Sequence, residues 1–263
     1  MSELLESLAN QVRCIGDSIM PYFANVDPQV KADGTWLTEA DNRSHQALME
    51  LLPKLVDVPV LSEEISTEEQ QKIIAESQDG YWCVDPLDGT SNFTQGINYW
   101  CVSVGLVLKG DIKLGLVYDP NRNELFSAED DSPTKLNGEL LHRNTTNNLA
   151  NATALIDLKR IPKKVSSQLI SDAPYRSQRC FGASALDLCW VAANRCQLYL
   201  HGEQQLWDYV AGKKILHNCG GQSRTFLNSR VFMNDLIPKS VIAASSVELM
   251  SQWQRYFHSI HTG

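Results

Sequence analysis

None of the seven cysteines falls in a Cys-x-x-Cys pair, and basic residues (23 Lys+Arg) are outnumbered by acidic ones (31 Asp+Glu). Each scarcity excludes something. An odd cysteine count with no paired spacing argues against a disulfide framework or a zinc site, and points to reduced thiols in a cytoplasmic protein. A formal net charge of -8 argues against general affinity for nucleic acid, because phosphate-backbone contacts need a Lys/Arg surplus. It leaves room for a small phosphorylated substrate and fits a carboxylate-rich site that holds cations. No apolar run approaches the ~18 residues of a membrane span, so no membrane partner is expected. Met1-Ser2-Glu3 carries no basic stretch, so no signal peptide is expected. Repeats, low-complexity tracts and long linkers are also missing.

What is present reads as a soluble globular chain: 263 residues, 43% hydrophobic and 21% charged. That length suits one large domain or two tightly joined ones. Leu4, Leu8, Val12, Ile15, Ile19 and Phe23 step by three and four, which predicts an amphipathic first helix. Pro28 and Asp33-Gly34 mark a loop. A second helix starts near Thr38 and turns Ala47, Leu48, Leu51 and Leu52 inward. A third runs from Thr67 to Ser77, with Thr67 and Gln70 spaced as a capping box. Tyr81–Asp85, Trp100–Leu108, Lys113–Tyr118 and Glu124–Ala128 are short β-type runs joined by Lys-Gly-Asp and Asp-Pro-Asn turns, which predicts an antiparallel meander. After about residue 150, strands (Ala154–Asp157, Gln197–His201, Val241–Ala244) alternate with helices. The pattern predicts a layered α/β sandwich of two subdomains, 1–145 and 146–263.

The chemistry concentrates in Trp82-Cys83-Val84-Asp85-Pro86-Leu87-Asp88-Gly89-Thr90. An apolar strand runs into two carboxylates three residues apart. Pro86 stiffens the backbone between them and Gly89 permits a tight turn. Thr90 adds a hydroxyl and N–H groups at a helix start, an arrangement suited to anions. Asp-Pro and Asp-Gly are also ordinary turn formers. Glu63-Glu64 ends the short apolar run Val58–Leu61, where it lines a site or forms a solvated face. Asp41 serves either a site or a capping box with Thr38. Asp208 serves either a site or the start of a helix. If these acids converge, they need a counter-charge, because two carboxylates 4 Å apart repel by about 4 kcal/mol at an effective dielectric near 20. Oxygen donors without a His/Cys cluster suit Mg²⁺ or Mn²⁺ and not zinc.

Asp85-Pro86-Leu87-Asp88-Gly89-Thr90 resembles the signature of the inositol monophosphatase superfamily of Mg²⁺-dependent, lithium-sensitive sugar phosphatases. Trp207-Asp208-Tyr209-Val210-Ala211-Gly212 is similar to the family's second signature. Ser62-Glu63-Glu64, Thr38-Glu39-Ala40-Asp41, Lys31, Gly115–Pro120 and Gly182-Ala183-Ser184-Ala185-Leu186-Asp187-Leu188 also resemble family segments, in the family's order. The resemblance implies an α-β-α-β-α five-layer sandwich of the inositol monophosphatase/fructose-1,6-bisphosphatase type, and a homodimer. It implies that Glu63, Asp85 and the Leu87 carbonyl hold one Mg²⁺, and that Asp85, Asp88 and Asp208 hold a second. Asp41 and Thr90 are then the catalytic pair that activates water, with Glu63 assisting through a third, looser Mg²⁺. Asp88, Gly89, Thr90, Gly182, Ala183 and Ser184 contact the substrate. Glu64 supports the shell.

One position departs from this pattern. The family's inositol enzymes carry a glutamate seven residues before the Trp-Asp aspartate, and here that position is His201. Imidazole cannot accept two hydroxyl hydrogen bonds as a carboxylate does. His201 is either a satisfied strand-end histidine or a contact for a second anionic group. Lys31–Thr35 and Pro59–Glu64 look closer to relatives acting on adenosine 3′,5′-bisphosphate or histidinol phosphate, whereas Thr90-Ser91-Asn92-Phe93 looks like the inositol branch. The expected activity is Mg²⁺-dependent hydrolysis of a small polyol or sugar phosphate. Its rivals are bisphosphate nucleotidase, fructose-1,6-bisphosphatase, histidinol-phosphatase and a non-catalytic metal-binding regulator.

Overall fold

A computed structural model describes residues 2–31, 34–144 and 146–262. Ala32 and Asp33 of the expected loop, and the expected boundary residue Thr145, lie outside the described residues. The first half of the chain forms α1 (Glu3–Ile19), β1 (Gln29–Val30), β2 (Trp36–Leu37), α2 (Glu39–Leu55), β3 (Val60–Ser62), α3 (Thr67–Glu76), β4 (Gly80–Asp88), α4 (Thr90–Gln95), β5 (Cys101–Leu108), β6 (Asp111–Asp119), β7 (Glu124–Glu129), β8 (Lys135–Leu136) and β9 (Glu139–Leu140). The second half forms β10 (Thr153–Ile156), α5 (Lys163–Ser171), β11 (Ser177–Arg179), α6 (Ser184–Ala192), β12 (Leu198–Gln204), α7 (Leu206–Asn218), β13 (Gln222–Arg224), β14 (Lys239–Ala244) and α8 (Val247–Thr262).

Two sheets organise the layers. One has the order β3-β4-β5-β6-β7-β8-β9, and the other has the order β11-β10-β12-β14-β13. The meander expected from the short turns is present in β4 to β7, all antiparallel. Strand alternation assigns the faces. Trp82 and Val84 of β4, with Val102, Val104 and Leu106 of β5, pack on α1 and α2. Tyr81, Cys83 and Cys101 point the other way into a central core with α6 and α7. That core also takes Leu155, Tyr199, Val241 and Ala243 from the second sheet. The alternate residues Ala154, Ile156, Leu198, Leu200, Ile242 and Ala244 face α5 and α8. The sequence of layers is therefore α-β-α-β-α.

The helix starts and stops have local causes. The first helix ends at Ile19, short of the expected Phe23, and a 3₁₀ turn follows over Met20–Tyr22. Pro21 has no N–H to continue the ladder. The third helix is capped by Ser66 with Glu69, one residue earlier than the Thr67/Gln70 box. The apolar run Val58–Leu61 reads as a buried strand and forms β3, but its parallel pairing with β4 and the short β8, β9, β11 and β13 were not revealed by the sequence patterns. Two glycines set how close α7 lies to the first sheet. A Cβ on Gly105 would sit 2.5 Å from Val210 Cγ1, and one on Gly115 would sit 2.4 Å from the Ala211 carbonyl oxygen. All seven cysteines are free thiols. Among the described residues, no helix is long and apolar enough to cross a membrane.

Candidate active site

The two acids of β4 sit at its C-terminal end, where the pairing with β5 slips. Asp85 faces Ser103 and Asp88 faces Cys101, so Pro86 and Leu87 are accommodated as an irregularity. Asp85 is 3% exposed and its Oδ1 accepts from the Leu87 N–H at 3.0 Å. Ser44 of α2 clamps the same turn by donating to the Pro86 carbonyl at 2.7 Å. Gly89 then turns the chain into α4 with φ 95°, a left-handed value that favours glycine. A Cβ there would also press on Ala183 and the Tyr99 carbonyl at 3.2 Å.

Asp41 has two jobs on two oxygens. Its Oδ2 accepts from the Thr38 N–H at 2.7 Å and from the Thr38 hydroxyl, completing a capping box on α2. Its Oδ1 accepts from the Thr90 hydroxyl at 3.0 Å. The same Thr90 proton is shared with the Leu87 carbonyl at 3.1 Å. Asp208 is built alike: its Oδ2 caps α7 through the Gln205 N–H at 2.8 Å, and the side chain stays partly exposed while lying deep in the site wall. Asp88 accepts from the Ala185 N–H at 2.7 Å, and so ties β4 to the start of α6. Gly182, Ala183 and Ser184 are brought beside Asp88 and Gly89 by that bond. Asn92 assists by donating to the Phe181 carbonyl at 2.7 Å.

Glu63 follows β3 and pairs with Lys31 at 3.0 Å, while the more buried Glu64 pairs with the same ammonium at 2.7 Å. Burial works against the Lys31 charge, but the two glutamates outweigh it and raise its pKa. Burial and Glu63 push Glu64 up to about 7. Burial first, then repulsion from Glu63, Asp88 and Asp208, holds Asp85 well above the usual carboxylate range. Asp208 is raised for the same reasons, by burial and then by Asp88 and Glu63. Asp88 rises to about 7 on burial, against the Ala185 and Ser184 N–H groups. Asp41 is also raised, chiefly by burial. The structure thus gathers Asp41, Glu63, Asp85, Asp88, Thr90 and Asp208 into one site. Among the described residues, no Lys, Arg or His forms an ion pair with Asp85, Asp88 or Asp208.

His201 stands apart from the acids, near the end of β12. It is 7% exposed, with Nε2 3.5 Å from Asp157 Oδ2, and burial pushes its pKa down to about 4. Asp157 follows β10, the strand next to β12, and Arg160 binds its carboxylate at 2.5 Å. Arg160 in turn is close enough to act on Asp208. Sequence reading missed Asp157 and Arg160. Their signal was an acid and a base three apart just after a strand, which is common on surfaces.

An oxygen-donor set with mutual repulsion, in which Asp85, Asp88 and Asp208 pair with no cation among the described residues, fits Mg²⁺ and suits neither zinc nor copper. Asp85 Oδ2 and Asp208 Oδ1 have no hydrogen-bond donor among the described residues. No three His, Cys, Asp or Glu among those residues close on one point as a finished coordination sphere. Water would complete such a shell, as is usual for Mg²⁺.

The profile of the inositol monophosphatase family matches residues 1–261. The Nus factor SuhB of Pasteurella multocida is 33% identical over 231 residues, 84% of either chain. An inositol monophosphatase of Mesembryanthemum crystallinum is 37% identical over 147 residues, 53% of this chain and 54% of that one. In fold, the chain resembles the Thermotoga maritima IMPase with a TM-score of 0.85 at 23% identity, over 99% of both chains.

Proposed function

From this chain's membership of the inositol monophosphatase family, we propose that it is a Mg²⁺-dependent phosphatase that releases inorganic phosphate from a small polyol or sugar phosphate. The observation that carries the reading is the mutually repelling set of buried Asp85 and Asp88 with half-buried Asp208, with Glu63 and the Thr90–Asp41 pair beside it. Glu63, Asp85 and the Leu87 carbonyl, and Asp85, Asp88 and Asp208, would hold two or three Mg²⁺. When bound, these ions stabilise charge on the phosphoryl group and acidify water.

The chain's own groups supply the rest. The Thr90 proton is spent on Asp41 and Leu87, so the hydroxyl oxygen is left as an acceptor for the attacking water. Asp41 takes the proton through that bond, and its burial makes it a stronger base than an exposed carboxylate. The Gly89-Thr90 backbone would meet the phosphate, and Gly182, Ala183 and Ser184 would meet the substrate beside it. His201, neutral and held by Asp157, would face the polyol. By family likeness, Li⁺ inhibits the reaction and the protein works as a homodimer.

A second reading, a non-catalytic binding role, is favoured by the name Nus factor carried by the Pasteurella relative. The intact acid set and the Thr90–Asp41 pair support catalysis over that reading. Phosphate release from a panel of inositol, sugar, 3′,5′-bisphosphate and histidinol phosphates, with Mg²⁺ and with chelator, tests the proposal. Chelator-sensitive release supports it; no release from any member sinks it.

A further inference from the structure

We propose that the cavity between the second half of α7, the β5–β6 turn and β13 binds a small molecule carrying two or more phosphate groups, at a site that needs no metal and is separate from the acid cluster. The cavity measures about 540 Å³, within the range of small-molecule sites and larger than a lone phosphate requires. Lys213, Lys214 and His217 of α7 enter it from one side; Arg224 of β13 and the exposed Arg230 enter from another. In a chain of net charge -8, this is a local reversal of sign.

The cations here are only partly neutralised by their neighbours. Every charge acting on half-buried Lys213 is positive, from Lys214, Arg224 and Arg230; burial and these three bring it down to about 8. His217 is held neutral by burial and by Lys213, Arg224 and Lys214, and bonds Ser223 Oγ through Nε2 at 2.8 Å. The acids of the cavity wall offset two of its cations: Asp130 and Asp131 act on Lys214, and Asp111 pairs with Lys113 at 3.6 Å. Lys213 and Arg230 form no ion pair among the described residues.

Lys213, Arg224 and Arg230, crowded together without an ion-pair partner among the described residues, are the mirror image of the acid cluster, and an anion is what relieves them. Two guanidinium forks and an ammonium converging from different elements suit the oxygens of linked phosphates. Favourable placement at a helix C-terminus accounts for His217 in the last turn of α7, but not for Lys213, Arg224 and Arg230.

Calorimetric titration of the full chain in excess chelator, with pyrophosphate and separately with ATP, tests the site. Binding is expected in the wild type, unchanged in Asp85→Asn, and weakened at least tenfold in both Lys213→Met and Arg230→Ala. The exposed Arg230 provides the readout if Lys213→Met fails to fold. Equal affinity for the two anions assigns recognition to the phosphates alone; tighter ATP binding assigns part of it to the nucleoside. Absence of binding by both anions overturns the proposal, and leaves the patch to an acidic macromolecule. Binding indifferent to both substitutions, or lost in Asp85→Asn, overturns it as well. Phosphatase turnover is read separately, so failure here leaves the proposed function standing.

Discussion

The Thr90 hydroxyl donates to Asp41 Oδ1 at 3.0 Å while Thr38 holds the other oxygen of the same carboxylate. A side chain that caps α2 is therefore also the proton acceptor of the proposed water-activating pair. Removing the Thr90 hydroxyl as Thr90→Val keeps its shape and leaves the α2 cap alone. Turnover is expected to fall by roughly 10²- to 10⁴-fold, the usual worth of a positioned acid–base group. Mg²⁺ affinity, measured by calorimetry, is expected to change less than about threefold. A Thr90→Val enzyme with wild-type kcat would remove the pair from the mechanism.

Metal binding should register in stability. Asp85, Asp88 and Asp208 repel one another, two of them buried and the third half-buried, so a cation bound to the folded chain relieves them. Mg²⁺ at a hundred times its Kd stabilises by about 2.7 kcal/mol. For a chain of this size that is a rise in Tm of roughly 5–10 °C. Asp85→Asn is expected to abolish both this rise and phosphate release while the far-ultraviolet spectrum stays native. A Tm that ignores Mg²⁺ in the wild type would contradict the metal assignment.

Much of the fold was legible because its patterns are local. The steps of three and four in α1, the alternation in β4 to β7, and the turn pairs between them all follow from residues near in sequence. The five-layer order and the ordered acid set were legible only through family resemblance. At Asp41, Asp85 and Asp208 the sequence left two readings open, structural and functional. The structure shows the structural half in full: one oxygen of each carboxylate is tied to a local N–H. Asp41 commits its second oxygen to Thr90, and the second oxygens of Asp85 and Asp208 stay open, so the two readings are compatible. Asp157 and Arg160 were not legible, because their meeting with His201 depends on β10 lying beside β12.

The position of Asp208 depends on how closely α7 lies against the first sheet. Gly115→Ala drives a methyl to 2.4 Å from the Ala211 carbonyl, one helical turn from Asp208. Such overpacking costs about 1–3 kcal/mol, and α7 is expected to shift outward with loss of Mg²⁺ affinity. Gly105→Ala meets the Val210 side chain instead, so Val210→Ala is expected to restore part of its stability. Denaturant unfolding of the single and double variants tests both statements. An unaltered Gly115→Ala protein would mean that the sheet does not fix this helix.

Acid sensitivity should follow the buried histidines. His217 is lowered to about 3 and His201 to about 4, below the ordinary value near 6.5, mainly by burial. Between those values the unfolded chain binds more protons than the folded one. Their stabilising contribution is therefore complete above about pH 6.5 and is lost as pH falls toward 3 to 4. With Mg²⁺ present to satisfy the acids, Tm is expected to drop from pH 7 to pH 5. His217→Gln is expected to reduce that drop, by on the order of 1–2 kcal/mol. A variant that loses as much as the wild type would assign the acid transition elsewhere.

Substrate choice is expected to turn on His201 and Asp157 together. The family's inositol enzymes place a carboxylate at position 201, which makes His201→Glu the natural change toward inositol phosphate. In this structure that glutamate would enter a buried strand end already holding Asp157, whose carboxylate lies 3.5 Å from the imidazole. Two carboxylates at that distance repel, and a buried one is raised and protonated unless Arg160 serves both. The single substitution is thus expected to destabilise the protein and to leave kcat/KM for inositol 1-phosphate low. The double variant His201→Glu/Asp157→Asn moves the charge from β10 to β12 without adding one. It is expected to gain on inositol 1-phosphate relative to the single variant by at least tenfold, mainly through KM, with Mg²⁺ dependence unchanged. Parallel kinetics on the substrate panel decide the matter: equal profiles for the single and double variants would show that Asp157 has no part in specificity.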